Sequence, residues 1–184
     1  MVQGMRPVVW DAQRVFPVNT VRVARLARKT IRALGIRTGG ILEITFIDSR
    51  QIRTLNRRFL RHDRPTDVLS FRYNNPDRGS KLEARARCPQ PRPLNPEPIV
   101  GEIFIAPALA RTYAAAHDLP YEEELSRYVV HGILHWLGHE DKTIAQQHRM
   151  RDRENRLLTL CGVRQLPRTP KPQPRTSRNG HSHH

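Results

Sequence analysis

Residues 121–141, YEEELSRYVVHGILHWLGHED, are the stretch around which the chain is organised. Apolar side chains recur in it at helical spacing, which predicts a helix over 121–137 with one face in the core. His131 and His135 are four residues apart, so they share a face of this helix and can present imidazole nitrogens to one point. Gly138 can adopt positive φ and thereby end the helix.

A third ligand would complete a metal site at the end of this helix. After Gly138 the chain can turn back, so that His139 or Asp141 approaches the two histidines. Three protein ligands with one open position are typical of a catalytic zinc site, whereas structural zinc sites have four protein ligands. We therefore predict one Zn²⁺ per chain, held by His131, His135 and a third residue, either Asp141 or His139.

The whole chain is strongly basic. Its 184 residues include 32 Lys and Arg against 17 Asp and Glu, which gives a formal net charge of +15. Such an excess predicts a polyanionic partner, and nucleic acid is favoured over membrane because no apolar run approaches the ~20 residues that span a bilayer. The two cysteines stand in unlike contexts, which gives little support to a disulfide and fits a reducing compartment. The N-terminal apolar run is too short for a signal peptide. A cytoplasmic protein is expected.

The remaining patterns predict one α+β (α/β-like) domain, with a small mixed four-stranded sheet surrounded by about five helices. Strands are expected at 8–10, 41–47, 67–71 and 101–105, and helices at 20–34, 50–59, 107–117, 121–137 and 144–160. The strands at 67–71 and 101–105 would pair antiparallel. The domain is expected to span 1–164, with a long Pro/Arg-rich loop inserted at 73–98 and a disordered basic tail over 165–184.

Three motifs in this order make the chain resemble the YbeY family of metal-dependent endoribonucleases and rRNA maturation factors: PTDVLSF at 65–71, GEI at 101–103 and HGILHWLGHED at 131–141. The resemblance covers roughly residues 21–162. It implies a zinc-dependent, single-strand-specific endoribonuclease that acts in rRNA maturation, notably at the 16S rRNA 3′ end, and in ribosome quality control. Ribosomal RNA and the small ribosomal subunit are the implied partners.

The chain departs from the family's pattern at two places. Asp141 stands where the family has its third histidine, and His139 stands where tyrosine is usual. A carboxylate binds zinc at a similar reach, which favours Asp141 as the third ligand. Leu60 stands where many members have an arginine, and Arg61 or Arg57 would then serve the phosphate.

The expected nucleophile is a zinc-bound water, and no protein general base is assigned. In HExxH metallopeptidases a glutamate directly after the first histidine is the general base, but Gly132 occupies that position here. Glu140 would act in catalysis, support a ligand or be solvated. Asp67 and Ser70 on the PTDVLSF strand would either reach the active-site cleft or serve the backbone locally.

Four arginines precede the PTDVLSF strand and are expected to contact RNA phosphates: Arg57, Arg58, Arg61 and Arg64. Three classes of function are therefore considered. The first is the zinc-dependent endoribonuclease. The second is a non-catalytic ribosome-assembly factor that binds RNA and contains a structural zinc. The last is a metallopeptidase, which Gly132 disfavours.

Overall fold

The structure is a computed structural model that describes residues 4–73 and 97–165. Most of the predicted loop (73–98) and tail (165–184) lies outside this range, at residues 74–96 and 166–184. Four strands and five helices occur in the described part: β1 (Arg6–Asp11), α1 (Thr20–Ala33), β2 (Ile41–Phe46), α2 (Ser49–Leu60), β3 (Val68–Arg72), β4 (Ile99–Ile105), α3 (Pro107–Ala116), α4 (Tyr121–Trp136) and α5 (Ile144–Leu160).

The strands form one mixed sheet in the order β1-β2-β4-β3. β1 and β4 run parallel to β2, and β3 runs antiparallel to β4, with Val68 opposite Ile105 and Arg72 opposite Gly101. The predicted antiparallel pair and the α+β class are therefore confirmed. β4 begins two residues before the predicted start, because Ile99 also pairs with Ile41, and Val100 lies at an irregularity in the register.

Capping boxes begin two of the described helices. Asp48 accepts hydrogen bonds from the backbone N–H groups of Arg50 and Gln51 at the start of α2, and the Gln51 side chain completes a capping box. Thr143 caps α5 in the same way with Gln146. The second cap is important for the site, because it makes α5 begin three residues after Asp141, and α5 then packs against α4.

Most of α4 is buried, and it packs against β3, β4, α1, α3 and α5. Two glycines allow this close packing. A Cβ atom at Gly132 would lie 2.6 Å from Ile103 Cγ2, and one at Gly101 would lie 2.0 Å from Trp136 Nε1. The C-terminal half of α4 is therefore held directly against the sheet, and its histidines are carried by a rigid element.

Cys161 is a buried free thiol, and Cys88 lies outside the described residues. Thr30 Oγ1 is 3.7 Å from Cys161 Sγ, so a polar group of α1 contacts this thiol in the core. Within residues 4–73 and 97–165, the helices are too short or too polar to cross a bilayer.

Candidate metal centre

Two histidines from α4 and an aspartate from the following turn meet at one point. The Nε2 atoms of His131 and His135 lie 2.9 Å apart. Asp141 Oδ2 is 3.9 Å from His131 Nε2, and Asp141 Oδ1 is 3.8 Å from His135 Nε2. Ligand atoms of the three residues all lie within 4.8 Å of one another, so the group could hold a metal ion.

The donor set and its spacing suit zinc. Zinc binds imidazole nitrogen and carboxylate oxygen at about 2.0–2.2 Å in a tetrahedral arrangement, which puts neighbouring ligand atoms about 3.3 Å apart. The observed separations lie on either side of that distance, at 2.9 Å between the two nitrogens and 3.8–3.9 Å from nitrogen to oxygen. The two longer distances end on different oxygens of Asp141, and with one ligand atom per residue the three atoms lie within 4.8 Å of one another. The Asp141 side chain would therefore move toward the histidines when zinc binds.

Glu154, on α5, holds His131 from behind. Its Oε1 lies 2.7 Å from His131 Nδ1, while Oε2 accepts a hydrogen bond of 2.9 Å from the Arg127 guanidinium. Arg127 also donates to Asn155 and Gln165. A carboxylate on the far nitrogen of a metal-binding histidine fixes the tautomer that presents the other nitrogen. Glu154 is only 7% exposed, so the arrangement is built into the core.

The two histidines differ in their proton affinity. Burial disfavours the charged form of His131, but the hydrogen bond and charge of Glu154 and the charges of Asp67 and Asp141 outweigh it and raise its pKa. Burial and the neighbouring His131 lower the pKa of His135. The 2.9 Å contact between the two Nε2 atoms is a hydrogen bond in which one ring donates and the other accepts. A metal ion would replace that proton.

His139, the alternative third ligand, lies apart from this group. Its Nε2 and Nδ1 atoms are 2.6 Å and 3.1 Å from Arg153 Nη1. Burial and then the charge of Arg153 lower the pKa of His139. The positive φ of Gly138, 93°, turns the chain so that Asp141 faces the histidines and His139 faces Arg153. The turn therefore brings Asp141, and not His139, close to the two histidines.

A cleft of about 350 Å³ opens beside the metal centre. Asp67 lines it together with His131 and Asp141, and Asp67 Oδ1 also accepts a hydrogen bond of 3.0 Å from the Val68 backbone. Both roles considered for Asp67 therefore apply. Ser70 is different, since its hydroxyl donates 2.9 Å to the Gly132 carbonyl oxygen and ties β3 to α4.

Glu140 points to solvent. It is exposed and forms an ion pair with Lys142 at 2.7 Å, and this contact lowers the pKa of its carboxyl group. It does not belong to the group of residues that could hold the metal. Solvation is thus the interpretation that the structure favours for Glu140.

The four arginines predicted to contact RNA are all exposed on α2 and the turn after it. Arg57 lies 4.0 Å from Asp63, which forms a two-point ion pair with Arg53. Arg58 lies over the Phe59 ring at 5.6 Å. Arg61 adopts positive φ, 60°, at the end of α2, and Arg64 offers its carbonyl oxygen to Asn56. None of the four lines the cleft beside the metal centre.

Sequence reasoning did not find Glu154 and Arg127. A signal was present, because Glu154 falls in the apolar stripe of α5 formed by Met150, Leu157 and Leu158, all of them buried. Arg127 lies likewise within the buried part of α4. Charged residues at core positions are almost always paired with an opposite charge. A glutamate and an arginine in the buried stripes of two neighbouring helices could therefore have been predicted to form an ion pair.

Comparison with known proteins adds an independent result. A family model described as Endoribonuclease YbeY matches residues 10–162. Endoribonuclease YbeY of Flavobacterium psychrophilum is 32% identical over 126 residues, covering 68% of this chain and 76% of that protein. The protein of the same name from Geobacillus thermodenitrificans is 30% identical over 139 residues, covering 76% and 84%. The solution structure of a Thermotoga maritima protein aligns with a TM-score of 0.52 at 21% identity, covering 85% of this chain and 88% of that one, which supports the fold alone.

Proposed function

The chain belongs to the YbeY family, and we propose from that premise that it is a zinc-dependent endoribonuclease that hydrolyses single-stranded RNA. The observation that carries the proposal is the meeting of His131, His135 and Asp141 at the end of α4, with Glu154 behind His131. Family membership supports an RNA substrate, and this donor set supports a metal-assisted hydrolysis.

We assign the ion to His131 Nε2, His135 Nε2 and a carboxylate oxygen of Asp141. Glu154 accepts the Nδ1–H of His131 and so keeps Nε2 free for the ion, while Arg127 holds Glu154 in place. Asp67 adds a further negative charge beside the two imidazoles, which favours a cation there. Zinc, when bound, supplies Lewis acidity toward the phosphodiester and a route to activating water near neutral pH.

Maturation of ribosomal RNA, including the 16S 3′ end, and ribosome quality control are the biological roles we propose. They rest on the family resemblance, and the net charge of +15 supports a large RNA partner such as the small ribosomal subunit. The cytoplasm, where such RNA is processed, is the proposed location.

A peptidase of the HExxH type is disfavoured by packing. The position after the first histidine faces the sheet, where even a Cβ atom would contact Ile103 and Val68. A glutamate there would have to enter the core instead of the metal centre.

The second candidate is a non-catalytic ribosome-assembly factor with a structural zinc. The exposed arginines of α2 favour it, because they would bind RNA whether or not the ion is present. However, structural zinc sites have four protein ligands, and three gather in the part of the chain that the structure describes. The enzyme is therefore the preferred proposal.

The test measures zinc content and cleavage in the full chain. We expect the parental protein to hold about one zinc, to cut a doubly labelled single-stranded RNA, and to lose activity on chelation until zinc returns. His135→Ala should lose both zinc and cleavage, while its circular dichroism remains parental. A folded, metal-stripped His135→Ala protein that cuts at the parental rate would refute the enzyme. Tight RNA binding without cleavage by the zinc-loaded parental protein would favour the assembly factor.

A further inference from the structure

The cleft beside the metal centre has helical walls. α3 and α5 both pack against α4, and the cleft lies over α4 between them. Tyr113 comes from α3, while α4 contributes His131 and Tyr128. The volume of about 350 Å³ falls in the usual range for small-molecule sites, roughly 300–1,000 Å³. Because His131 and Asp141 also line the cleft, it reaches the metal centre.

One face of α5 forms the second wall. Ile144, Gln147, His148 and Arg151 all line the cleft, and their spacing of three and four residues puts them on a single helical stripe. The same stripe continues to Glu154, which contacts His131. The capped start of α5 thus places four side chains in a row that leads to the metal centre.

The outer part of this wall contains an unusual apolar group. Ile144 is 62% exposed at the first residue of α5, although it faces a cleft full of polar side chains. On the α3 wall, the Tyr113 ring stacks on His117 with ring centres 3.9 Å apart, which steadies the ring. The Tyr113 ring offers a flat surface to a planar ligand, and Ile144 on the other wall offers apolar contact to it.

The charges in the cleft divide between floor and rim. On the floor, Glu154 is buried and paired with Arg127 and His131. At the rim, Arg151 is exposed and forms no ion pair or hydrogen bond with another residue of the described ranges. An unpaired guanidinium beside a metal centre suits a phosphate oxygen, because its fork of N–H donors matches that group.

We propose that this cleft is a nucleotide subsite that receives an unpaired base next to the scissile phosphate. Ile144 and Tyr113 contact the base, and Arg151 binds the neighbouring backbone phosphate. The inference rests on the proposed endoribonuclease function and adds the residues that position the RNA. Since a base in a duplex must leave its stack before it can enter such a cleft, the subsite favours single strands.

α5 offers a matched control for each substitution. Leu160, 68% exposed, lies at the far end of the same helix as Ile144. Arg156 is exposed on α5 and does not line the cleft. The experiment compares Ile144→Ala with Leu160→Ala, and Arg151→Ala with Arg156→Ala, in the full zinc-loaded chain. Fluorescence anisotropy measures binding of a short labelled single-stranded RNA, and steady-state kinetics separates KM from kcat.

We expect Ile144→Ala and Arg151→Ala each to weaken single-strand binding about fivefold to tenfold, from the loss of apolar contact and of one charge-assisted hydrogen bond. KM should rise by a similar factor with little change in kcat, and both controls should stay within twofold. Annealing the strand to its complement should remove the effect of Ile144→Ala.

Two results would overturn the subsite. If parental cleavage is present and depends on His135, yet both cleft variants match their controls, the subsite is wrong and the proposed function stands. If the zinc-loaded parental chain neither binds nor cuts the single strand, the proposed function and the subsite fall together.

Discussion

The buried end of α4 and the arginine cluster of α2 (Arg57, Arg58, Arg61 and Arg64) are built in opposite ways. Behind His131, Glu154 contacts His131 at 2.7 Å and Arg127 at 2.9 Å, and both Glu154 and Arg127 lie in the core. The arginine cluster is exposed, and its side-chain contacts include an ion pair at 4.0 Å and a ring contact at 5.6 Å.

The difference shows how each region is expected to respond to substitution. A buried network is sensitive to single atoms, because removing one partner leaves another buried polar group unsatisfied. Exposed arginines act additively through charge, and salt screens them. We therefore expect large, specific losses at the metal centre and small, graded losses at the arginine cluster.

The largest effect should come from Asp141→Ala. It removes one of three proposed ligands, so bound zinc should fall well below one per chain and RNA cleavage should fall at least about a hundredfold, which corresponds to roughly 2.7 kcal/mol. His139→Phe is the matched control, since His139 contacts Arg153 instead of the centre. Elemental analysis checks both variants. Zinc loss in His139→Phe, with normal content in Asp141→Ala, would reverse the ligand assignment.

Glu154→Gln should have the next largest effect. The amide keeps the size of the side chain but loses the charge that holds His131 Nδ1–H and Arg127, so zinc affinity should fall about tenfold to a hundredfold. Competition with a chromogenic chelator measures the affinity. Asp152→Asn, two residues away and exposed, is the control for the same loss of charge. Equal affinities in the two variants would mean that the buried network does not tune the centre.

Gly132→Ala tests how closely α4 packs against the sheet. The new methyl group would meet Ile103 Cγ2 at 2.6 Å and Val68 Cγ1 at 3.0 Å. Overpacking typically costs about 1–3 kcal/mol, offset in part by the roughly 0.5–1 kcal/mol that alanine gains in a helix. The free energy of unfolding, from urea titration, should therefore fall. Gly4→Ala, which enters open space, should leave it unchanged, and an equally stable Gly132→Ala protein would show a softer interface.

The smallest effects should come from the arginine cluster. Arg61→Ala should weaken RNA binding only about twofold to fivefold and reduce the slope of log affinity against log salt by about one. Arg32→Ala on α1, also exposed, is the control. If Arg61→Ala lowered the rate of RNA cleavage as much as Asp141→Ala does, the two regions would not differ, and Arg61 would belong to the active site.

The secondary structure was predictable because local signals mark its boundaries. Asp48 and Gly162 stand at helix ends, and the strand at 41–47 alternates apolar and polar residues. The pairing of β3 with β4 also followed from the chain order. The helix and strand boundaries depend on near neighbours in sequence, where physical rules are strong.

The metal centre was predictable only in part. The spacing of His131 and His135 determines their common face, so they could be placed from sequence. The third ligand could not be derived from spacing alone, because His139 and Asp141 follow the same turn and its φ angle decides which one faces inward. Glu154 lies 23 residues from His131, and only the packing of α5 on α4 brings the two together.

The contact between Gly101 and Trp136 has an optical consequence. Trp136 is 5% exposed and directly follows His135, and its indole Nε1 lies 3.4 Å from the Val100 carbonyl oxygen, with Arg72 over the ring at 5.6 Å. The chain has one other tryptophan, Trp10, in β1. The emission of Trp136 is thus an intrinsic probe of whether the end of α4 is docked, and it allows the metal centre to be followed by fluorescence without a label.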